Sequence, residues 1–124
     1  MIGYVTLGSN DLERSAAFYD AVLSVIGAKR SNFSERMLMW RTEAGGPMLG
    51  VCIPFDESLA TSGNGTMVAL NVDSKETVNG LHAKAMESGG STEGDPGPRG
   101  EGGFYGGYFR DLDGNKIAVF TIGG

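Results

Sequence analysis

The sequence predicts an α+β fold of two tandem β-α-β-β-β modules, about 1–60 and 64–124, whose strands form a mixed, curved eight-stranded sheet around a cleft. Three observations predict it. A strand, a helix and a stop glycine occur in the first half and recur in the second. Strand-rich sequence follows each helix. Asp113-Gly114 then separates the last two strands with a dipeptide suited to a tight hairpin turn. At 124 residues, with 40% hydrophobic and 20% charged content, the chain 1–124 reads as one domain able to bury a core.

Residues 1–8, MIGYVTLG, alternate as a strand does. Asn10 is the expected N-cap of a helix over about 11–26, with Glu13 placed to close a capping box. Leu12, Ala16, Tyr19, Leu23 and Ile26 share one helical face, Phe18 and Val22 widen it, and Gly27 suits the C-terminal stop. Three strands are expected next, at about 29–34, 36–43 and 47–54. GTMVALNVD opens the second module as a strand, with Met67, Ala69 and Asn71 on one face and Val68, Leu70 and Val72 on the other. Ser74 caps a second helix that buries Val78, Leu81 and Ala85 and stops at Gly89-Gly90. Strands at about 91–93, 103–110 and 115–122 complete the chain. When Tyr4 is laid on Met67, Phe18 falls on Leu81, Val22 on Ala85 and Gly27 on Gly90, a set of matches that points to duplication.

Composition narrows the function. Fifteen acidic against 10 basic residues give a net charge of −5, with no basic cluster, which argues against nucleic acid as a partner. No apolar run approaches the roughly 18 residues that read as a membrane span. The stretch MIGYVTLGSND lacks the basic and long apolar regions of a secretory signal. The lone Cys52 excludes an internal disulfide, and the lone His82 excludes His-rich zinc motifs within one chain. The expected location is the cytoplasm.

Two strings carry a resemblance to a known family: DLERSAAFYDAVL, beginning at Asp11, and YFRDLDGNKI, beginning at Tyr108. Together with the duplicated module plan, they resemble the vicinal oxygen chelate superfamily, which includes lactoylglutathione lyase, bleomycin resistance proteins and extradiol dioxygenases. The resemblance covers essentially the whole chain. It implies that metal-binding members would place ligands at four positions here: Tyr4 and Met67, where His is usual, Ala118, where Glu is usual, and a position near Leu49 or Val51. Neighbouring Gly50 and Cys52 add at most one thiol. A divalent metal needs several converging N, O or S donors. The expectation is therefore no metal cofactor of the family's type, with Ala118 standing where an enzyme would keep a carboxylate.

The remaining polar and aromatic residues are weighed individually. Tyr4 either contacts a ligand through its hydroxyl or simply lines the cleft. Met67 either forms an adaptable pocket wall or fills core. Trp40, closing MLMW, either stacks on a planar ligand or packs in the interior. Asn71 offers a hydrogen bond at the cleft rim. In DPGPRGEGGFYGGYF, Gly and Pro shape a loop whose Arg99 either holds a carboxylate or phosphate of a small ligand or is an ordinary surface arginine, with Tyr105 and Tyr108 following as lining. Arg110, Asp111 and Asp113 are read as fixing the hairpin. Cys52 lacks a thiolate-stabilising partner, and His82 reads as a helix-flank residue, either solvent-exposed or a satisfied structural histidine.

The resulting expectation is a small-molecule-binding protein, a homodimer with clefts between subunits as in bleomycin-resistance-type members, lining its cleft with Tyr4, Trp40, Met67 and Tyr108. The alternative is a glyoxalase-like lyase or isomerase using an atypical metal site or metal-free acid–base chemistry. A purely structural or partner-binding module is the third reading. Whether any reaction is catalysed, and on what, stays open at this point.

Overall fold

The computed structural model describes residues 1–123. The elements run β1 (Tyr4–Gly8), α1 (Leu12–Ser24), β2 (Lys29–Ser34), β3 (Met37–Arg41) and β4 (Met48–Cys52), then β5 (Val68–Asn71), α2 (Lys75–Glu87), β6 (Ser91–Pro98), β7 (Phe104–Arg110) and β8 (Lys116–Ile122). This is the β-α-β-β-β plan twice over. The eight strands divide into two four-stranded mixed sheets, ordered β1-β4-β3-β2 and β5-β8-β7-β6. In each sheet the first strand of the module pairs in parallel with the last, and the remaining pairs are antiparallel. β1 and β5 are therefore edge strands. Among the described residues no helix is long and apolar enough to cross a membrane.

Alternation decides which face of each sheet is buried. Leu7, Leu38, Trp40, Leu49 and Val51 of the first sheet and Phe109, Ile117 and Val119 of the second join Phe18, Tyr19, Val22, Val78, Leu81 and Ala85 of the helices in one continuous core. Each large side chain buried there contributes about 1.5–3 kcal/mol. α1 and α2 pack against each other as well as against strands. Phe18 of α1 meets Tyr19 edge-on at 5.0 Å and reaches Phe109 of β7 at 6.3 Å, so one aromatic spans both modules.

The helix ends are set locally. Asp11, not Asn10, caps α1 by accepting the Arg14 amide at 3.1 Å. Asn10 is engaged elsewhere: its Oδ1 accepts the Ala60 amide at 2.8 Å, pinning the linker between modules. Ser74 caps α2 as expected, through the Thr77 amide. The two stop glycines differ. Gly27 takes the left-handed backbone at φ 72°, but in the second module Gly89 takes it, at φ 101°. Gly90 instead sits where an added Cβ would meet the Arg110 carbonyl at 2.8 Å. It is a glycine for closeness of approach.

The turn between β7 and β8 fastens the second module to the first. Asp111 Oδ1 accepts the amides of Asp113 and Asn115, each at 2.9 Å. Its Oδ2 accepts from the Tyr19 hydroxyl at 2.6 Å and from Asn115 Nδ2 at 2.9 Å. Asn115 Nδ2 also donates to the Gly8 carbonyl at the end of β1. Asp113 accepts from the Asn10 amide, the Ser15 hydroxyl and Arg14 Nη2 at the start of α1. Every buried side-chain polar atom among the described residues has a partner.

Candidate functional site

Alternation leaves a second set of residues on the sheet faces turned away from the helices, among which Met39 and Ala118 are nonetheless buried. On the first sheet these are Tyr4 and Thr6 of β1, Met37 and Met39 of β3, and Met48, Gly50 and Cys52 of β4, placed by alternation. On the second they are Ala69 and Asn71 of β5, Phe104, Gly106, Tyr108 and Arg110 of β7, and Lys116, Ala118 and Phe120 of β8. Met67, just before β5, continues the Ala69–Asn71 row and is 44% exposed, while Tyr4 is 55% exposed.

Register makes the two modules comparable. Thr6 pairs with Gly50 in the β1–β4 ladder, and Ala69 pairs with Ala118 in the β5–β8 ladder. Met39 lies across from Gly50 as Tyr108 lies across from Ala118. Gly50 is thus the first module's counterpart of Ala118. Leu49 and Val51, the expected neighbourhood of a ligand position, point the other way, into the core, at 6% and 0% exposure. The positions at which the resemblance places metal ligands are then occupied by a phenol, a thioether, a methyl group and a bare glycine. Among the described residues no group of three or more His, Cys, Asp and Glu side chains converges to hold a metal ion.

Around Ala118 the face of the second sheet is aromatic and cationic. Phe104 and Phe120 stack at 5.1 Å with rings 8° from parallel. Arg99 sits over the Tyr108 ring at 5.5 Å and Lys116 over the same ring at 5.7 Å, both within cation–π range. Arg99 leaves the end of β6, and its Nη2 donates to the Asp95 carbonyl at 2.7 Å, which fixes the guanidinium above Tyr108. Next to this surface, linker residues 61–67 wall an open pocket of about 920 Å³ whose other side is made by Arg110, Gly114 and Lys116. A smaller apolar pocket of about 350 Å³ separates the two modules, with Val5, Leu49, Met67 and Ala69 among its walls.

Of the seven residues expected to bind a ligand, Tyr4, Met67, Asn71, Arg99 and Tyr108 lie on or beside these helix-free faces. Two do not. Trp40 is 2% exposed on the helix side, its Nε1 donating to Asp20 at 3.0 Å and its ring 5.5 Å from that of Tyr19. Tyr105 is also on the helix side, where its hydroxyl donates to Asn79 of α2 at 2.7 Å and Lys75 covers its ring. Tyr105 and Tyr108 are three apart in one strand, so the pleat forbids them a common face. The same alternation identifies the partners that were missed: Phe104, Arg110, Lys116 and Phe120. His82 is buried on α2, with Nε2 at 3.1 Å from both the Thr92 hydroxyl and the Tyr108 carbonyl, a structural role. Cys52 is partly buried, across from Met37.

Comparison with known proteins agrees with this architecture. The family model of the Glyoxalase/Bleomycin resistance protein/Dioxygenase superfamily matches residues 1–119. A glyoxalase/bleomycin resistance protein from Albidiferax ferrireducens T118 is similar over 98% of both chains, with 35% identity and a TM-score of 0.89. Hypothetical protein SA1046 from S. aureus is similar over 98% of this chain and 92% of its own, at 29% identity and a TM-score of 0.75. A glyoxalase/bleomycin resistance protein/dioxygenase family enzyme from Burkholderia phytofirmans PsJN shares the fold over 97% of each chain, at 21% identity and a TM-score of 0.77. No curated protein matches the chain.

Proposed function

The chain belongs to the glyoxalase/bleomycin resistance protein/dioxygenase superfamily, and from that premise we propose that it is a small-molecule-binding protein holding its ligand against the helix-free sheet faces, without a divalent metal at the family's usual positions. One observation carries the reading. Tyr4, Gly50, Met67 and Ala118 offer a single phenol oxygen and a single thioether sulfur, which is not a donor set for zinc, nickel, manganese or iron. Around those positions stand instead Tyr108, the Phe104–Phe120 pair and the apolar pocket walled by Val5, Leu49, Met67 and Ala69, surface that suits the apolar body of an organic ligand.

The working unit in this reading is a homodimer. β1 and β5 each leave a strand edge unpaired within the chain, and Tyr4 and Met67 are exposed apolar surface there that a second copy would cover. A reducing cytoplasm suits the single free thiol of Cys52.

The test is a fragment screen read by amide chemical shifts, using small aromatic compounds on purified protein. Saturable shifts at Met67, Tyr108 and Ala118 support the reading. Shifts confined to the helix surfaces, or none at all, overturn it.

A further inference from the structure

The pocket beside the linker differs in charge from the rest of the molecule. The chain carries 15 acidic residues and a net charge of −5, yet no acidic residue lines this pocket, while Arg110 and Lys116 both do. These two cations face each other across the β7–β8 ladder at its turn end. Arg110 Nε donates to Glu93 at 2.8 Å and Nη1 to the Gly114 carbonyl at 3.0 Å, bonds that fix the guanidinium and leave Nη2 without a protein partner among the described residues. Lys116 has no carboxylate within ion-pair distance among the described residues, and its closest charge-related contact is the Tyr108 ring. Over that same ring, the Arg99 guanidinium donates to the carbonyls of Asp95 and Pro98 and has no carboxylate partner among the described residues. The Asp95 carboxylate is turned to the Thr92 hydroxyl. Arg110 and Lys116 line the pocket and Arg99 lies beside it, with Glu93, paired to Arg110, and Asp95 as the neighbouring carboxylates. From the linker, Ser62, Asn64 and Thr66 add side-chain donors to the pocket wall.

We propose that this pocket is a subsite for the anionic group of the ligand, a carboxylate or a phosphate, and that the ligand's planar or apolar body lies on Tyr108 and the Phe104–Phe120 pair. The proposal rests on the reading above that the helix-free faces hold a small molecule. It adds the substrate class. A guanidinium already held in place by Glu93 and Gly114 loses little freedom when it takes up an anion, and Lys116 supplies a mobile point charge from the opposite strand. Lys116 lies against the Tyr108 ring, so one ligand can engage the cations and this ring together, with the Phe104–Phe120 pair further along the same face.

The experiment titrates purified protein with benzoate, phenyl phosphate and the neutral analogue benzyl alcohol, following backbone amides together with the Arg110 Nε and Lys116 Nζ signals. Saturable shifts at Arg110, Gly114 and Lys116 are expected with the anions. Tighter benzoate binding assigns the subsite to carboxylates, and tighter phenyl phosphate binding assigns it to phosphates. Lys116→Gln weakens anion binding about tenfold and leaves benzyl alcohol unchanged, while Lys84→Gln, on the exposed side of α2, changes neither. A spectrum matching the parent away from the pocket shows that the Lys116→Gln protein is folded. Undiminished anion binding by Lys116→Gln, or anion shifts spread evenly over all basic residues, overturns the subsite. Benzyl alcohol binding the face while both anions fail overturns the subsite alone. No probe moving the face overturns the small-molecule reading with it.

Discussion

The Tyr19 hydroxyl donates to Asp111 Oδ2 at 2.6 Å, and this buried bond ties α1 of the first module to the β7–β8 turn of the second. Tyr19→Phe removes one hydrogen bond to a charged acceptor and leaves Oδ2 still held by Asn115. The expected loss is about 1.5–3 kcal/mol. Urea unfolding reads it as a lower midpoint with an unchanged slope.

The same site gives stability a pH dependence at both ends. Burial first, and then the charge and hydrogen bond of Asp111, push the Tyr19 phenol well above its ordinary value of 10.0. The folded state then holds the phenolic proton more tightly than the unfolded chain, so this contribution is full below about pH 10 and declines as pH rises beyond it. Asp113 is shifted the other way. Burial pushes its carboxyl up, but the Asn10 amide, the Ser9 and Ser15 hydroxyls and the Arg14 guanidinium outweigh that and hold it below its ordinary value of 3.8. Its contribution is full above that value and is lost as pH falls through the folded one. Denaturation midpoints across pH 8–12 are expected to fall in the parent and to fall less in Tyr19→Phe. Asp113→Asn is expected to flatten the decline on the acid side.

Two glycines are tested by adding one carbon. At Gly106 a Cβ would lie 2.7 Å from Phe104 Cε1, so Gly106→Ala must displace that ring from its stack on Phe120. The cost is about 1–3 kcal/mol, with an altered near-ultraviolet aromatic dichroism and weaker binding of aromatic probes. At Gly90 the added carbon meets backbone, 2.8 Å from the Arg110 carbonyl and 3.0 Å from that of Ala85. Backbone cannot rotate away as a ring can, so Gly90→Ala is expected to be the more destabilising of the two by thermal melt.

Trp40 separates packing from ligand contact. Trp40→Phe forfeits the bond to Asp20 and some buried surface, an expected cost of about 1–3 kcal/mol. Its indole is on the helix side, so the affinity of aromatic probes is expected to stay as in the parent protein, measured by the same titrations.

How much of this was legible in the chain depended on whether side chains or tertiary neighbours decide the outcome. α1 and α2 were readable because Tyr19, Val22, Val78 and Leu81 keep helical spacing, and β8 because an apolar run follows the Asp113-Gly114 turn. β6 was expected over about 91–93 but runs Ser91–Pro98, because STEGDPGP has no apolar row and is held by backbone pairing to β7 with two register shifts. The cap of α1 was misplaced by one residue because Asn10 is taken by Ala60, fifty positions away. Trp40 and Tyr105 were aromatic residues assigned to the wrong face, an error that strict alternation from Tyr108 and Met39 corrects. The linker pocket had no local signature, since residues 61–67 meet Arg110 and Lys116 only once both modules are folded.

The most direct measurement of the central claim is the metal content of protein purified without an affinity tag or chelator, before and after equilibration with zinc, nickel, manganese and iron followed by desalting. With only Tyr4 and Met67 offering donors among the four family positions, the expected result is no metal in stoichiometric amount in either sample. One equivalent of any of these metals per chain, retained through desalting and reduced by Tyr4→Phe, would contradict it.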